Sequence, residues 1–152
     1  MQKQPLLLIS RKDILAASQQ PDGRRVIQLL AKLTRQGYQL VATASLSKEW
    51  TKNLAISKRS APIPKGVRQI ISEAGGTMDG VYYVPQSLLT QRANRETALK
   101  DILSRFGTPP AECYLFSSSR KFVAAARRLN IKAFDIENKN TLESLLEKHF
   151  NT

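Results

Sequence analysis

ECYLFSSSRKFVAAARRLNIKAFDI, residues 112–136, decides the fold. ECYLF is a short apolar run of strand character. Three serines follow, and from Ser119 to Leu129 the apolar residues Phe122, Val123 and Ala126 recur at helical spacing. Asn130 and Ile131 end that stripe, and IKAFDI is a second strand. A strand, a helix and a strand in direct succession make a parallel pair with a crossover helix, because a tight hairpin cannot join parallel strands.

The same alternation runs outward to both ends. Pro5 to Ile9 reads as strand one, entering a turn at Ser10-Arg11-Lys12-Asp13. RRVIQLLAKLTRQG carries Val26, Leu29, Leu30 and Leu33 on one stripe, with Gly37 as its stop. YQLVAT is strand two. KGVRQIISEAGG repeats the stripe through Val67, Ile70, Ile71 and Ala74, and GVYYV is strand three. Asn94 is placed to cap a helix from Arg95 to Phe106, with Leu99, Ile102 and Leu103 inward, ended by Gly107 and Pro109-Pro110. Asn140 with Glu143 makes a capping-box-like start to a last helix that buries Leu142, Leu145 and Leu146. The strands are apolar on both faces, the pattern of a parallel sheet covered by helices on both sides. The expected fold class is α/β: one Rossmann-like domain over residues 1–152, three layers, with a mostly parallel central sheet of about five strands. In such sheets ligands bind at the carboxyl ends of the strands, here Ser10–Asp13, Thr43–Ser45 and Ser117–Ser119.

Composition sets the chemistry. The chain has 152 residues and a formal net charge of +12. Residues 1–75 hold 13 Lys/Arg against 4 Asp/Glu, whereas 76–152 hold 11 against 8. That balance favours an anionic partner: a phosphorylated ligand, nucleic acid or an acidic protein. The plain alternative is a solvated basic surface. No apolar run approaches the roughly 20 residues that span a bilayer, so no membrane partner is expected and the cytoplasm is the default compartment. The lone Cys113 forms no internal disulfide and reads as a small buried residue.

DGVYYVP and CYLFSSSRKFVAAARRLNI, with the order of the three strand ends, resemble the haloacid dehalogenase (HAD) superfamily. The closest resemblance is to its histidinol-phosphate and heptose-bisphosphate phosphatase branch. The resemblance implies a nucleophilic aspartate at the end of strand one and an acid/base aspartate two residues on, but those positions are Ser10 and Lys12. The glycine-threonine that follows in the family is Asp13-Ile14. The hydroxyl of the second motif falls on Thr43, with Ser45 nearby, and the lysine of the third falls near Arg95. The magnesium-binding acids of the fourth fall on Ser118 and Phe122. The zinc loop that often follows the YY strand is replaced by Val84-Pro85-Gln86-Ser87.

The family's phosphoryl transfer needs two carboxylates and Mg²⁺. One displaced acid, Asp13, cannot fill those roles, and the only histidine, His149, lies near the C-terminus. No metal and no cofactor are therefore expected, and no catalytic residue is assigned. What remains is a set suited to an oxyanion: Ser10, Arg11, Lys12, Thr43, Ser45, Arg95, Ser117, Ser118 and Ser119. The alternative is a crevice without a ligand. A second candidate surface is nucleic-acid binding through Lys48, Lys52, Lys58, Arg59, Lys65 and Arg68, with Trp50 to stack on a base. Its alternative is a solvated basic loop with Trp50 packed down. A third class retains the enzyme, a phosphatase using non-standard residues.

Overall fold

A computed structural model describes residues 5–21, 23–46, 66–85, 92–137 and 141–150. In chain order the described elements are β1 (Leu6–Ser10), α1 (Arg11–Ser18), α2 (Gly23–Arg35), β2 (Gln39–Leu46), α3 (Val67–Glu73), β3 (Gly80–Pro85) and α4 (Arg92–Phe106). A 3-10 turn at Pro110–Glu112 then leads to β4 (Cys113–Ser117), α5 (Arg120–Arg128), β5 (Lys132–Asp135) and α6 (Leu142–Phe150). The five strands form one sheet in the order β3-β2-β1-β4-β5, and every pairing is parallel. This is the expected Rossmann-like α/β arrangement.

Alternation along each strand divides the core in two. Leu7, Ile9, Leu40, Ala42 and Phe116 face one side and pack with Ile14 of α1, Leu30 of α2, Ile71 of α3 and Leu146 of α6. Leu6, Leu8, Val41, Cys113, Leu115 and Ala133 face the other, against Leu99 and Ile102 of α4 and Val123 and Ala126 of α5. The stripes read from the sequence face the core, with Leu29, Ile70 and Ala74 only half-buried and Ile27, outside the expected stripe, buried. Asn130 ends α5 at φ 66°, where the Asn130 and Ile131 amides return to the carbonyls of Arg127 and Ala126. Asparagine tolerates that left-handed turn better than most residues.

Three local expectations are corrected. Ser10–Asp13 is not an open turn: Ser10 stands at the N-cap position of α1 and Arg11 is its first residue. The backbone enters a helix at once because β1 needs no loop to reach it, and Ile14 anchors the helix in the core. Second, α4 begins at Arg92, so Asn94 lies inside the helix and is not its cap. Third, Thr141 starts α6, its hydroxyl accepting the Ser144 amide at 3.2 Å. Asn140 lies outside the described residues, and Glu143 pairs with Arg25 at 3.5 Å.

Gly23 is required by close approach. A Cβ there would meet the Ser18 carbonyl oxygen at 2.2 Å, and that backbone cannot move as a side chain could. Cys113 is fully buried in β4, and burial pushes its thiol up to about 12. The thiolate is the reactive form. Iodoacetamide at neutral pH is therefore expected to leave the folded chain unlabelled and to label Cys113 only after denaturation. Rapid labelling under native conditions would contradict its placement.

Candidate anion-binding site

The site begins with a change of polarity along the sheet. Val41, Leu8 and Leu115 are neighbours on three adjacent strands and face the α4–α5 side. Two residues further on, Thr43 pairs with Ser10, and continuation of the β1–β4 register brings Ser117 beside Ser10. A fully apolar row thus gives way to a row of three hydroxyls at the carboxyl edge. All three line one cavity of about 520 Å³.

Helices supply the cations. Arg11 and Lys12, in the first turn of α1, and Arg95, on the inward stripe of α4 one turn before Leu99, line the same cavity. Arg95 is only 7% exposed. Among the described residues no carboxylate lines this cavity. Asp13 is also buried, but it is turned toward the β4–α5 turn, where its Oδ2 accepts the Ser118 amide at 3.0 Å.

The serine turn is ordered by its own hydroxyls. Ser117 Oγ accepts the Ser119 amide at 3.0 Å, and Ser119 Oγ caps α5 by accepting the Phe122 amide at 3.3 Å. Each hydroxyl spends a lone pair on the backbone and keeps its proton to donate. At α1 the Ser10 side chain makes no capping hydrogen bond, so it does not cover the first-turn amides. The N-terminus of α1 therefore opens on a cavity that already carries three cations, and that end favours negative charge.

Of the nine candidate positions, the structure brings together Ser10, Arg11, Lys12, Thr43, Arg95, Ser117 and Ser119. Ser118 does not join them. Its amide is held by Asp13, and it lines a neighbouring cavity with Gln20, Glu137 and Thr141. Ser45 belongs to β2, and its side chain lies outside the described residues. The sequence reading missed Leu15, Ala16, Gln19, Ala44 and Phe122 as cavity walls. The α1 members were legible only to a reader who already had α1 as a helix, since positions 12, 15, 16 and 19 then share a face.

The basic stretch is mostly beyond description. Lys48, Trp50, Lys52, Lys58, Arg59 and Lys65 lie outside the described residues. Arg68 is described, and its Nη1 donates to the Met78 carbonyl at 3.3 Å. Among the described residues no helix is long and apolar enough to cross a membrane.

No family model matches the chain, and no curated protein matches it in sequence. Solved structures do match. The D,D-heptose 1,7-bisphosphate phosphatase of B. bronchiseptica, solved with magnesium and phosphate, is 14% identical with a TM-score of 0.68, over 97% of this chain and 98% of that one. The corresponding enzyme of Burkholderia thailandensis is 11% identical with a TM-score of 0.57, over 98% and 100% of the two chains. An uncharacterized protein of Corynebacterium glutamicum is 15% identical with a TM-score of 0.60, over 97% and 95%.

The chain shares the fold of these heptose bisphosphate phosphatases.

A fold shared with a phosphatase solved with magnesium raises the question of that ion. Mg²⁺ takes hard oxygen ligands, usually with at least one or two carboxylates. The cavity offers hydroxyls and three cations, and among the described residues no group of three or more His, Cys, Asp or Glu is placed to hold a metal. The residues present do not fit the ion.

Proposed function

We propose that this HAD-type chain has lost phosphatase chemistry and works by binding a phosphorylated ligand in the strand-end cavity. One observation carries the reading: a cavity of about 520 Å³ whose described lining combines Arg11, Lys12 and Arg95 with four hydroxyls and, among the described residues, no carboxylate. A phosphate dianion would replace its hydration with charge-assisted hydrogen bonds from these groups. Lys12 holds positive charge in the first turn beside Ser10, so the protein's own ammonium supplies charge of the sign a metal would bring. Hydrolysis is another matter. Ser10 has a hydroxyl but, among the described lining residues, no carboxylate or imidazole to take its proton.

Two outcomes are expected of the purified chain. Inorganic phosphate should raise the melting temperature, because a ligand that binds only the folded state stabilises it, by about 2.7 kcal/mol at a hundredfold excess over Kd. For a chain of this size that is a rise of roughly 5–10 °C. The rise should be the same with or without Mg²⁺ and should vanish in Lys12→Glu. A variant that responds like the parent would overturn the pocket. Heptose bisphosphate, histidinol phosphate and an aryl phosphate should show no Mg²⁺-dependent turnover. Turnover abolished by Ser10→Ala would return the chain to the enzymes.

A further inference from the structure

The cavity is larger than an oxyanion requires. Its volume of about 520 Å³ lies within the roughly 300–1,000 Å³ of small-molecule pockets. The walls beyond the cations and hydroxyls therefore say what the rest of the ligand is.

Those walls are mostly apolar. Helix α1 runs along the cavity and presents Lys12, Leu15, Ala16 and Gln19 to it. At 1.5 Å per residue, Leu15 and Ala16 stand about 5–6 Å beyond Lys12, and Gln19 about 10 Å beyond. Ala44 adds to the same side: β2 alternation turns it to the α1 face of the sheet, opposite to Thr43. From the other side comes Phe122, in the first turn of α5, where its backbone N–H donates to Ser119 Oγ. Among the described lining residues only Gln19 offers a hydrogen-bonding group away from the cation and hydroxyl set.

We propose that the ligand is a phosphate monoester with an apolar organic body, aromatic or hydrocarbon, and not a phosphorylated sugar. The inference rests on the anion reading and adds the ligand class to it. A sugar would press several hydroxyls against Leu15, Ala16, Ala44 and Phe122, where they would lose water without gaining partners. An aromatic or hydrocarbon body has no hydroxyls to strand there. The solved phosphatases of similar fold act on a heptose bisphosphate. Shared fold does not carry that specificity over, because specificity resides in the wall residues.

Titration calorimetry on the full chain with three probes tests this: inorganic phosphate, phenyl phosphate and glucose 6-phosphate. Phenyl phosphate should bind roughly tenfold or more tightly than either of the others, within the 10–200-fold that small apolar groups confer in a fitted pocket. Leu15→Gln should remove most of that preference while changing inorganic phosphate affinity far less. Ala16→Asn, at an exposed helical position, should do the same and serves if Leu15→Gln folds poorly. Glucose 6-phosphate binding as tightly as phenyl phosphate, or a preference kept in both variants, overturns this inference and leaves the anion reading standing. Failure of all three probes to bind overturns the anion reading, and this inference with it.

Discussion

Phe116→Ala is expected to destabilise the chain by about 3–5 kcal/mol, the usual cost of deleting a fully buried aromatic side chain. Phe116 is fully buried on β4, next to the central strand. Its ring stacks on Phe134 of β5 with centroids 5.2 Å apart and approaches Phe150 of α6 at 6.1 Å. Tyr114 holds the same Phe150 ring edge-on at 5.0 Å, and Tyr38 at 5.3 Å. Removing Phe116 therefore opens a void where β4, β5 and α6 meet, and the surrounding backbone cannot collapse into it. Whole-domain stabilities run to about 5–15 kcal/mol, so the loss is a substantial part of the total. Urea denaturation followed by far-ultraviolet circular dichroism measures the loss. A cost below about 1 kcal/mol would mean that this aromatic cluster is not packed as described.

Asp13→Ala should cost about 1–3 kcal/mol, the penalty for leaving a buried donor without its acceptor. Asp13 is 8% exposed, and its Oδ2 bridges α1 to the Ser118 amide across 105 residues of sequence. Without it nothing replaces the bond that sets the β4–α5 turn against α1, and these two elements frame the cavity. Asp13→Asn keeps an oxygen at the same reach and should recover about half of the loss. Phosphate binding gives a second readout. If the tether sets the site, Asp13→Ala should weaken inorganic phosphate binding even though it removes a negative charge near Arg11 and Lys12. Tighter binding would show that charge outweighs geometry at this position.

The candidate site was legible in the sequence as a list and illegible as an arrangement. Ser10, Thr43 and Ser117 were each recognisable as strand ends, because each follows an apolar run that stops. That they form one row depends on strand order. β1 lies between β2 and β4, so Ser10 has Thr43 on one side and Ser117 on the other, from segments 33 and 107 residues away. The same register explains the misplaced Ser118. Side chains alternate, so the middle serine of three leaves the face that Ser117 occupies, and Asp13 takes up its amide.

Local physics explains what the sequence determined unaided. Strands apolar on both faces can only be covered on both faces, so α/β layering followed from Leu6–Ile9, Leu40–Ala42 and Cys113–Phe116 alone. The helical stripes and their stops at Gly37, Gly75 and Gly107, all with positive φ, rest on interactions within a few residues. Tertiary structure decided the rest. It made Ser10–Asp13 a helix start, because Ile14 finds a core partner only when α1 turns onto the sheet. It set the Thr141 hydroxyl to accept the Ser144 amide at the start of α6. Above all it separated Asp13 from Arg11 and Lys12: a helix turns about 100° per residue, so neighbours in sequence face different cavities. An electropositive cavity formed where the sequence had set an acid directly beside two cations.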